Sequence, residues 1–167
     1  MTIAQVLLPE FDQEMAKTRE CLSRIPSDRL DWRAHEKSWS LQSVATHLAN
    51  LPRWITMTIQ EADFDLQPAD GDATREEPIT TVEEALEKLD TNAAAARTAI
   101  GTASDEDLMT AWTLLKGGQP LFTLPRIAVI RSTILNHMIH HRGQLTVYLR
   151  LNDVPVPALY GPSADEA

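Results

Sequence analysis

Several common features are scarce in this chain of 167 residues, and each shortage excludes a class of protein. The chain has one cysteine, Cys21, so it forms no internal disulfide, and we expect a cytoplasmic location. No stretch reaches the roughly 20 consecutive apolar residues that cross a bilayer. The first residues also lack the basic and apolar regions of a signal peptide, so we expect neither a membrane segment nor a leader.

Basic residues are scarce as well. There are 15 lysine and arginine residues against 24 aspartate and glutamate residues, which gives a formal net charge of -9. A protein that binds nucleic acid needs a basic face to neutralise phosphates, and anionic membranes attract basic rather than acidic surfaces. We therefore expect a small-molecule partner, and neither nucleic acid nor a membrane.

The motifs of several enzyme classes are absent from the sequence. There is no His-Glu-x-x-His run of a zinc protease and no Glu-x-x-His pair of a carboxylate-bridged di-iron bundle. There is also no Gly-x-Ser-x-Gly nucleophile motif, phosphate-binding loop or dinucleotide fingerprint. Any chemistry must therefore come from a different arrangement of residues.

Apolar residues recur every three or four positions in four long segments, which is the period of a helix packed on a core. The predicted helices run from Ile3 to about Ile25, from Ser40 to about Gln60, from Thr80 or Thr81 to Gly101, and from Pro125 to about Arg150. Ser40 is a suitable N-cap, and Thr81 to Glu84 fits a capping box. With 43% apolar residues, the chain can bury a core as one domain over residues 1–167. We predict an all-α fold, a four-helix bundle.

The prolines and the connections add detail to this fold. Pro9 and Pro52 fall inside helical patterns, so the first helix either bends at Pro9 or starts there, and the second bends at Pro52. Residues 61–79 are acidic and rich in turn residues, and should form an exposed loop. A small hairpin is expected between the third and fourth helices, with strands at 111–115 and 121–124.

His137 and His141 are the most informative residues of the chain. They stand four positions apart on the apolar stripe of the fourth helix, so their rings are expected on the same face. Two buried imidazoles are costly unless their nitrogens find partners, and a divalent metal satisfies them well. His47 lies on the stripe of the second helix, together with Leu51 and Trp54. We therefore predict a metal site formed by His47, His137 and His141, with one or more positions left for water or substrate.

Other interpretations of the histidines stay open at this point. Buried histidines are often structural, with their nitrogens hydrogen-bonded to carbonyl groups, even when two of them stand four positions apart. A plain helical bundle without a metal would, however, leave His137 and His141 unexplained. His35 is expected at the surface of a loop, and His140 at the edge of the bundle, beside the ligands rather than among them.

Side chains near the predicted ligands are candidates for supporting roles. His140, Arg142 and Gln144 could assist the site, Gln144 by fixing the tautomer of a ligand. Arg142 could bind a substrate carboxylate or, more simply, form a structural ion pair or a dimer contact. Trp54 is the preferred pocket residue because it shares the face of His47. The other three tryptophans are expected to seal loops onto the bundle.

Two longer runs, together with the closing Val154-Pro155 and Tyr160-Gly161, form a recognisable set. The runs are Lys37-Ser38-Trp39-Ser40 leading into Val44-Ala45-Thr46-His47-Leu48-Ala49, and Asn136-His137-Met138-Ile139-His140-His141-Arg142-Gly143-Gln144-Leu145. With them the chain resembles the DinB/YfiT-like superfamily over essentially its whole length. The resemblance implies a four-helix bundle with one metal site made by three histidines, which by position are His47, His137 and His141.

The resemblance also implies a function. Characterised relatives include metal-dependent thiol transferases and isomerases that use bacillithiol, mycothiol or glutathione, and many relatives are dimers. We therefore expect a homodimer with one divalent ion per chain (zinc, nickel or iron) that transfers a low-molecular-weight thiol to a small electrophile. The alternative is a non-catalytic metal-binding protein of a stress response. A structural site normally takes four protein ligands, and three are predicted here, which favours the open, reactive site.

Overall fold

A computed structural model of the chain describes residues 1–69 and 76–167. The described helices are α1 (Ile3–Ser23), α2 (Leu41–Gln60), α3 (Val82–Thr102), α4 (Asp105–Met109), α5 (Arg126–Ala128) and α6 (Asn136–Leu151). A π-helical segment, Val129–Leu135, joins α5 to α6, and a short 3-10 turn spans Ser27–Arg29. The strands are β1 (Asp63–Asp65), β2 (Ala111–Lys116) and β3 (Gln119–Pro125). The predicted bundle of four long helical segments is confirmed, and the predicted hairpin is present.

The helices begin where the sequence supplies caps. The Ser40 hydroxyl accepts the Ser43 N–H at the start of α2, and the Thr81 hydroxyl accepts the Glu84 N–H at the start of α3. The predicted capping box of α3 differs in one bond, because the Glu84 carboxylate accepts the N–H and O–H of Thr80. α1 begins before Pro9, at an N-cap that the sequence pattern did not single out.

The core lies between the four long helices. α3 packs against α1 and α2, and α6 closes the bundle by packing against the same two helices. The fully buried side chains of the core include Phe11, Leu22, Leu48, Ile55, Leu89, Ile100 and Leu145. Burial of one such side chain contributes about 1.5–3 kcal/mol. Cys21 belongs to this core, as expected for a small hydrophobic residue, and burial raises the pKa of its thiol to about 11.

Membrane-spanning character is not found in the helices that the structure describes: none of them combines the required length with a sufficiently apolar composition.

A three-stranded sheet, ordered β1-β2-β3, packs beside the bundle. β2 and β3 form the predicted hairpin, and its two-residue turn needs glycine because Gly117 and Gly118 both have positive φ, 58° and 75°. β1 was not predicted, since three residues are too short to show a period of two. It runs parallel to β2, and the carboxylate of Asp65 accepts the N–H groups of Gly117 and Gly118 at 2.8 Å and 2.7 Å.

The fourth predicted helix differs most from expectation. It is interrupted by the π-helical segment, whose extra residue per turn shifts the faces of the helix relative to a regular α-helical wheel. At the turn that follows, Met138 is buried in the core and His137 is exposed. His141 is again on the buried side, 8% exposed. The prediction that all three histidines lie in the core is therefore wrong for His137.

The predicted exposed loop, 61–79, is described only in part, because 70–75 lie outside the described residues. Most of its described residues are exposed or half-buried, as expected. Ile79 is the exception and is fully buried. Its backbone is attached to α2, where its N–H donates to the Thr46 hydroxyl and its carbonyl accepts the Gln42 side-chain N–H.

Candidate metal centre

Three histidine rings from α2 and α6 meet at one side of the bundle. The Nε2 atom of His137 lies 3.1 Å from Nε2 of His47 and 2.7 Å from Nε2 of His141. One ligand atom from each residue lies within 4.8 Å of the others, so the cluster could hold a metal ion. Two nitrogens bound to one tetrahedral zinc ion at about 2.0–2.1 Å stand roughly 3.3 Å apart. The spacing of the rings therefore fits one ion after small adjustments of the side chains.

The outer nitrogens of two of these rings are held by hydrogen bonds. Nδ1 of His47 donates to the Glu76 carboxylate at 3.3 Å, and Nδ1 of His141 donates to Oε1 of Gln144 at 2.7 Å. The Gln144 amide in turn donates to Nε2 of His140 at 3.0 Å. Ligating histidines usually pass their second N–H to such an oxygen, which fixes the ring and its tautomer.

This arrangement leaves the three inner nitrogens short of protons. If Nδ1 carries the hydrogen in His47 and His141, Nε2 of each ring has a bare lone pair directed at His137. His137 has one Nε2–H at most and can donate it to only one of them, so the lone pair of the other ring faces His137 with no hydrogen between the two nitrogens. A cation between the rings removes this conflict. The donor set therefore fits a metal ion on its own chemistry.

Burial favours the neutral form of the His137 and His141 rings. It lowers the pKa of His141 to about 4, against an ordinary value of 6.5, although the hydrogen bond to Gln144 acts in the opposite direction. Burial is also the largest cause that lowers the pKa of His137. At neutral pH both rings are therefore in the form that binds a metal, so few protons must be displaced on binding.

The site also includes Trp39, which was expected to seal a loop onto the bundle, and Glu76, which the sequence did not reveal. Trp39 precedes α2, stacks on the ring of His141 at 5.1 Å between centroids, and is 48% exposed. Its carbonyl accepts the Tyr148 hydroxyl, which holds this stretch against α6. Glu76 is brought to His47 by the attachment of nearby Ile79 to α2. An acidic loop residue carries no periodic signal, so only the fold identifies it.

Two cavities flank the histidines, and His47 lines both. One, of about 240 Å³, is the more polar of the two, with Gln42, Ser43, Thr46 and Glu76 in its walls. The other, of about 210 Å³, is apolar, and the walls include Leu51, Trp54, Leu66, Leu114 and Ile134. His137 belongs to the apolar cavity. Trp54 and His47, both on α2, line this apolar cavity together.

Arg142 is not part of the site, contrary to one of its predicted roles. Its side chain is 1% exposed and lies in the core, where it donates to the Glu14 carboxylate, the Thr18 hydroxyl and the Tyr160 hydroxyl. It adjoins His141 in sequence, but successive residues of a helix are turned by about 100°, so its side chain packs towards α1 and not towards the histidine cluster. Its structural role is the one that the geometry supports. His35 is exposed, as expected.

Solved structures of three bacterial proteins resemble this chain over nearly its whole length. A DinB-like protein from Bacillus cereus matches with a TM-score of 0.71 and 23% identity, over 95% of this chain and 98% of that chain. A DinB-like protein from Bacillus subtilis gives 0.69 and 20%, over 90% and 94%. A putative DinB family member from Exiguobacterium sibiricum gives 0.60 and 21%, over 92% and 94%. At these identities the likeness shows the fold.

Comparison with curated proteins gives no match. The sequence model of the DinB family, in contrast, matches residues 1–167. The match spans both histidine-bearing runs and the bundle that brings them together. The chain belongs to the DinB family.

Proposed function

We propose that the protein binds one divalent metal ion through His47, His137 and His141 and acts as a metal-dependent transferase, joining a low-molecular-weight thiol to a small electrophile. The observation that carries the proposal is the convergence of three Nε2 atoms that cannot all be paired by hydrogen bonds among themselves and that a cation would satisfy together. Glu76 and Gln144 support it, because they hold the outer nitrogens of two rings.

The chemistry that a bound zinc, nickel or iron ion supplies is a lowered pKa of a coordinated thiol or water, which gives a nucleophile near neutral pH. The histidines favour this role because neutral imidazoles do not cancel the charge of an ion. The protein's other contribution is to orient the reactants, and the two cavities beside His47 offer one place for each.

The proposed transfer forms one bond between sulfur and carbon. The thiol loses its proton to solvent, which reaches the cleft on the exposed side at His137. The sulfur lone pair then forms the new bond to the electrophilic carbon. In a substitution the leaving group departs with its bonding electron pair, and in an addition to a double bond the neighbouring carbon takes up a proton.

The alternative function is a non-catalytic metal-binding protein. A structural zinc site normally fills four positions with protein groups and is closed. Among the residues that the structure describes, the group that could hold an ion has three members, and one of them, His137, is exposed. This openness favours the transferase. The homodimer stays a prediction from the sequence.

Metal content tests the ligand set. The purified protein should carry about one divalent ion per chain by elemental analysis, and His137→Ala should lose it because two imidazoles hold an ion poorly. His35→Ala is the matched control, since this histidine is exposed in a loop outside the cluster. Full metal content in the His137→Ala protein would reject the proposed ligands.

Turnover tests the transferase itself. Bacillithiol, mycothiol and glutathione should each be combined with a panel of small electrophiles, and consumption of the electrophile followed by mass spectrometry. We expect turnover that needs both the thiol and the metal, stops after treatment with a chelator and returns when the ion is added back. A metal-loaded protein that is inactive with every combination would favour the non-catalytic function.

A further inference from the structure

We propose that the apolar cavity beside His47 and His137 binds an uncharged hydrocarbon arm of the electrophile. The inference rests on the proposed function, because it assigns one of the two reactants to a definite place. The cavity is lined by four parts of the fold: α2, the sheet region, the π-helical segment and the start of α6. Nothing in the sequence pattern beyond Trp54 pointed to it.

The walls of the cavity offer almost no hydrogen bonds. Its apolar side chains are Leu51, Trp54, Leu66, Leu114 and Ile134. The rings of His47 and His137 line the same cavity, and Thr133 completes the described wall. A molecule in this space meets hydrocarbon on most sides and the candidate metal centre on one. An electrophile whose reactive carbon lies at the histidines would therefore place its apolar group in the cavity.

The volume limits the size of that group. An apolar protein cavity of about 150 Å³ accepts a benzene molecule. This cavity measures about 210 Å³. It therefore has room for a substituted ring or a branched chain of roughly six carbons, while the reactive atom of the same molecule stays outside the cavity at the histidines. A whole low-molecular-weight thiol of the glutathione type is too large and too polar for it.

Structural features hold the cavity open. The ring of Trp54 is braced in a T-shaped contact with Phe64 of β1, 5.1 Å between centroids. The π-helical segment places Thr133 and Ile134 on the wall, and such segments are frequent at functional sites. Protein interiors normally fill apolar voids, because each void costs stability. An apolar void kept beside convergent polar groups is the usual form of a ligand pocket.

The polar cavity on the other side of His47 suits a different reactant. Its walls present the side chains of Gln42, Ser43, Thr46 and Glu76. A polar thiol finds hydrogen-bond partners there, whereas in the apolar cavity its polar groups would lose their bonds to water without replacement. The two cavities therefore separate the reactants by polarity, and both open at His47.

Binding of an apolar probe tests the cavity without turnover. Fluorotoluene is titrated into the metal-loaded protein and followed by fluorine NMR, and we expect saturable binding at one site. Leu114→Phe and, as a second variant, Leu66→Phe fill the cavity and should weaken binding at least tenfold. Leu121→Phe is the matched control on β3, where the side chain is 54% exposed, and should bind within about twofold of the parent. Lack of binding by the parent, or equal binding by all folded variants, would overturn the proposal.

Substrate preference separates this inference from the proposed function. Benzyl chloride and chloroacetamide both lose chloride, but only the first carries an apolar ring. Relative to the uncatalysed rates, the parent should prefer benzyl chloride at least tenfold in kcat/KM, and Leu114→Phe should remove the preference, whereas the exposed control Leu121→Phe should keep it. A preference unchanged by Leu114→Phe contradicts the cavity assignment. Specific fluorotoluene binding with no turnover of either compound contradicts the transferase and supports the cavity as an apolar-ligand site.

Discussion

Glu76 and Gln144 determine which nitrogen of their histidine carries the hydrogen. Each accepts an Nδ1–H, so that Nε2 of His47 and of His141 faces the cluster as a lone pair. Partners of this kind typically change metal affinity by about 10–100-fold when they are removed. Glu76 brings a negative charge to its histidine, whereas Gln144 is neutral and acts through a hydrogen bond alone.

We therefore expect Glu76→Ala to weaken metal binding by about tenfold, at the lower end of that range because the carboxylate is partly solvated. The measurement is competition between the metal-loaded protein and a chelator of known affinity. Glu77→Ala is the control, since the neighbouring Glu77 is exposed. Equal losses of affinity in the two variants would mean that only the general negative charge matters.

The histidine cluster should also make the stability of the metal-free protein depend on pH. In the unfolded chain His137 and His141 titrate near the ordinary value of 6.5, whereas burial lowers their pKa in the folded protein, to about 4 for His141. Between these values the unfolded chain binds more protons, so the free energy of unfolding falls as pH falls from about 6.5 towards 4. Carboxylates with lowered pKa, such as Asp65 and Glu84, lose their contribution only at lower pH.

Urea unfolding with a chelator present, at about pH 7, 6 and 5, measures this dependence. The parent protein should lose stability over this range, and His141→Asn should lose less because one titrating ring has been removed. A variant with the same pH dependence as the parent would show that His141 is protonated as easily in the folded protein as in the unfolded chain.

Among the elements, the three-residue strand β1 connects the apolar cavity to the hairpin turn. Its Phe64 braces Trp54, and its Asp65 accepts three backbone N–H groups, two from the hairpin turn and one from Gln67. A carboxylate that accepts several backbone N–H groups has a lowered pKa, as Asp65 does. This one side chain therefore connects the turn of the hairpin to the strand beside the apolar cavity.

Asp65→Ala should release the turn and leave the histidine cluster intact. Amide hydrogen exchange at Gly117 and Gly118 is expected to quicken by an order of magnitude or more, because both N–H groups lose their acceptor. Asp63→Ala on the same strand is the control. Protection that is unchanged in the Asp65→Ala protein would mean that the strand pairing alone holds the turn.

The elements also show what the sequence could and could not predict. The first residues of α2 and α3 were predictable because the N-caps Ser40 and Thr81 act locally, by accepting N–H groups three residues further along the chain. The pair His137 and His141 was visible because both stand on one helix. The π-helical segment has no recognisable sequence pattern. A regular helical wheel was therefore applied across it, and it wrongly predicted that His137 is buried. Contacts between distant segments, such as Glu76 with His47, depend on the assembled fold.

At the scale of the whole molecule, a buried charged cluster joins three parts of the chain. Arg142 of α6 pairs with Glu14 of α1, with side chains 1% and 6% exposed, and both contact the hydroxyl of Tyr160 in the C-terminal segment. Lys17 lies over the Tyr160 ring, 3.6 Å from its centroid. Burial and the bond to Glu14 raise the pKa of Tyr160 to about 12, so this hydroxyl keeps its proton and donates it to Glu14.

Removing one charge of this cluster should be costly. Glu14→Gln leaves Arg142 buried beside a neutral partner, and we expect the free energy of unfolding to fall by about 3 kcal/mol. The exposed pair Asp12 and Arg97 is the internal comparison, and Asp12→Asn should cost at most about 1 kcal/mol. Denaturant unfolding measures both. Similar small losses would show that water or a neighbouring group compensates the buried arginine.

The unequal exposure of His137 and His141 has a consequence for how the centre is loaded. The apolar core closes by itself around α1, α2, α3 and α6, so the chain can fold first and acquire its ion afterwards. His141 is already fixed in place, while His137 stands at the entrance and can engage or release last. We then expect occupancy to follow the concentration of free ion around the protein, with the ion entering and leaving past the exposed His137 and without unfolding of the chain.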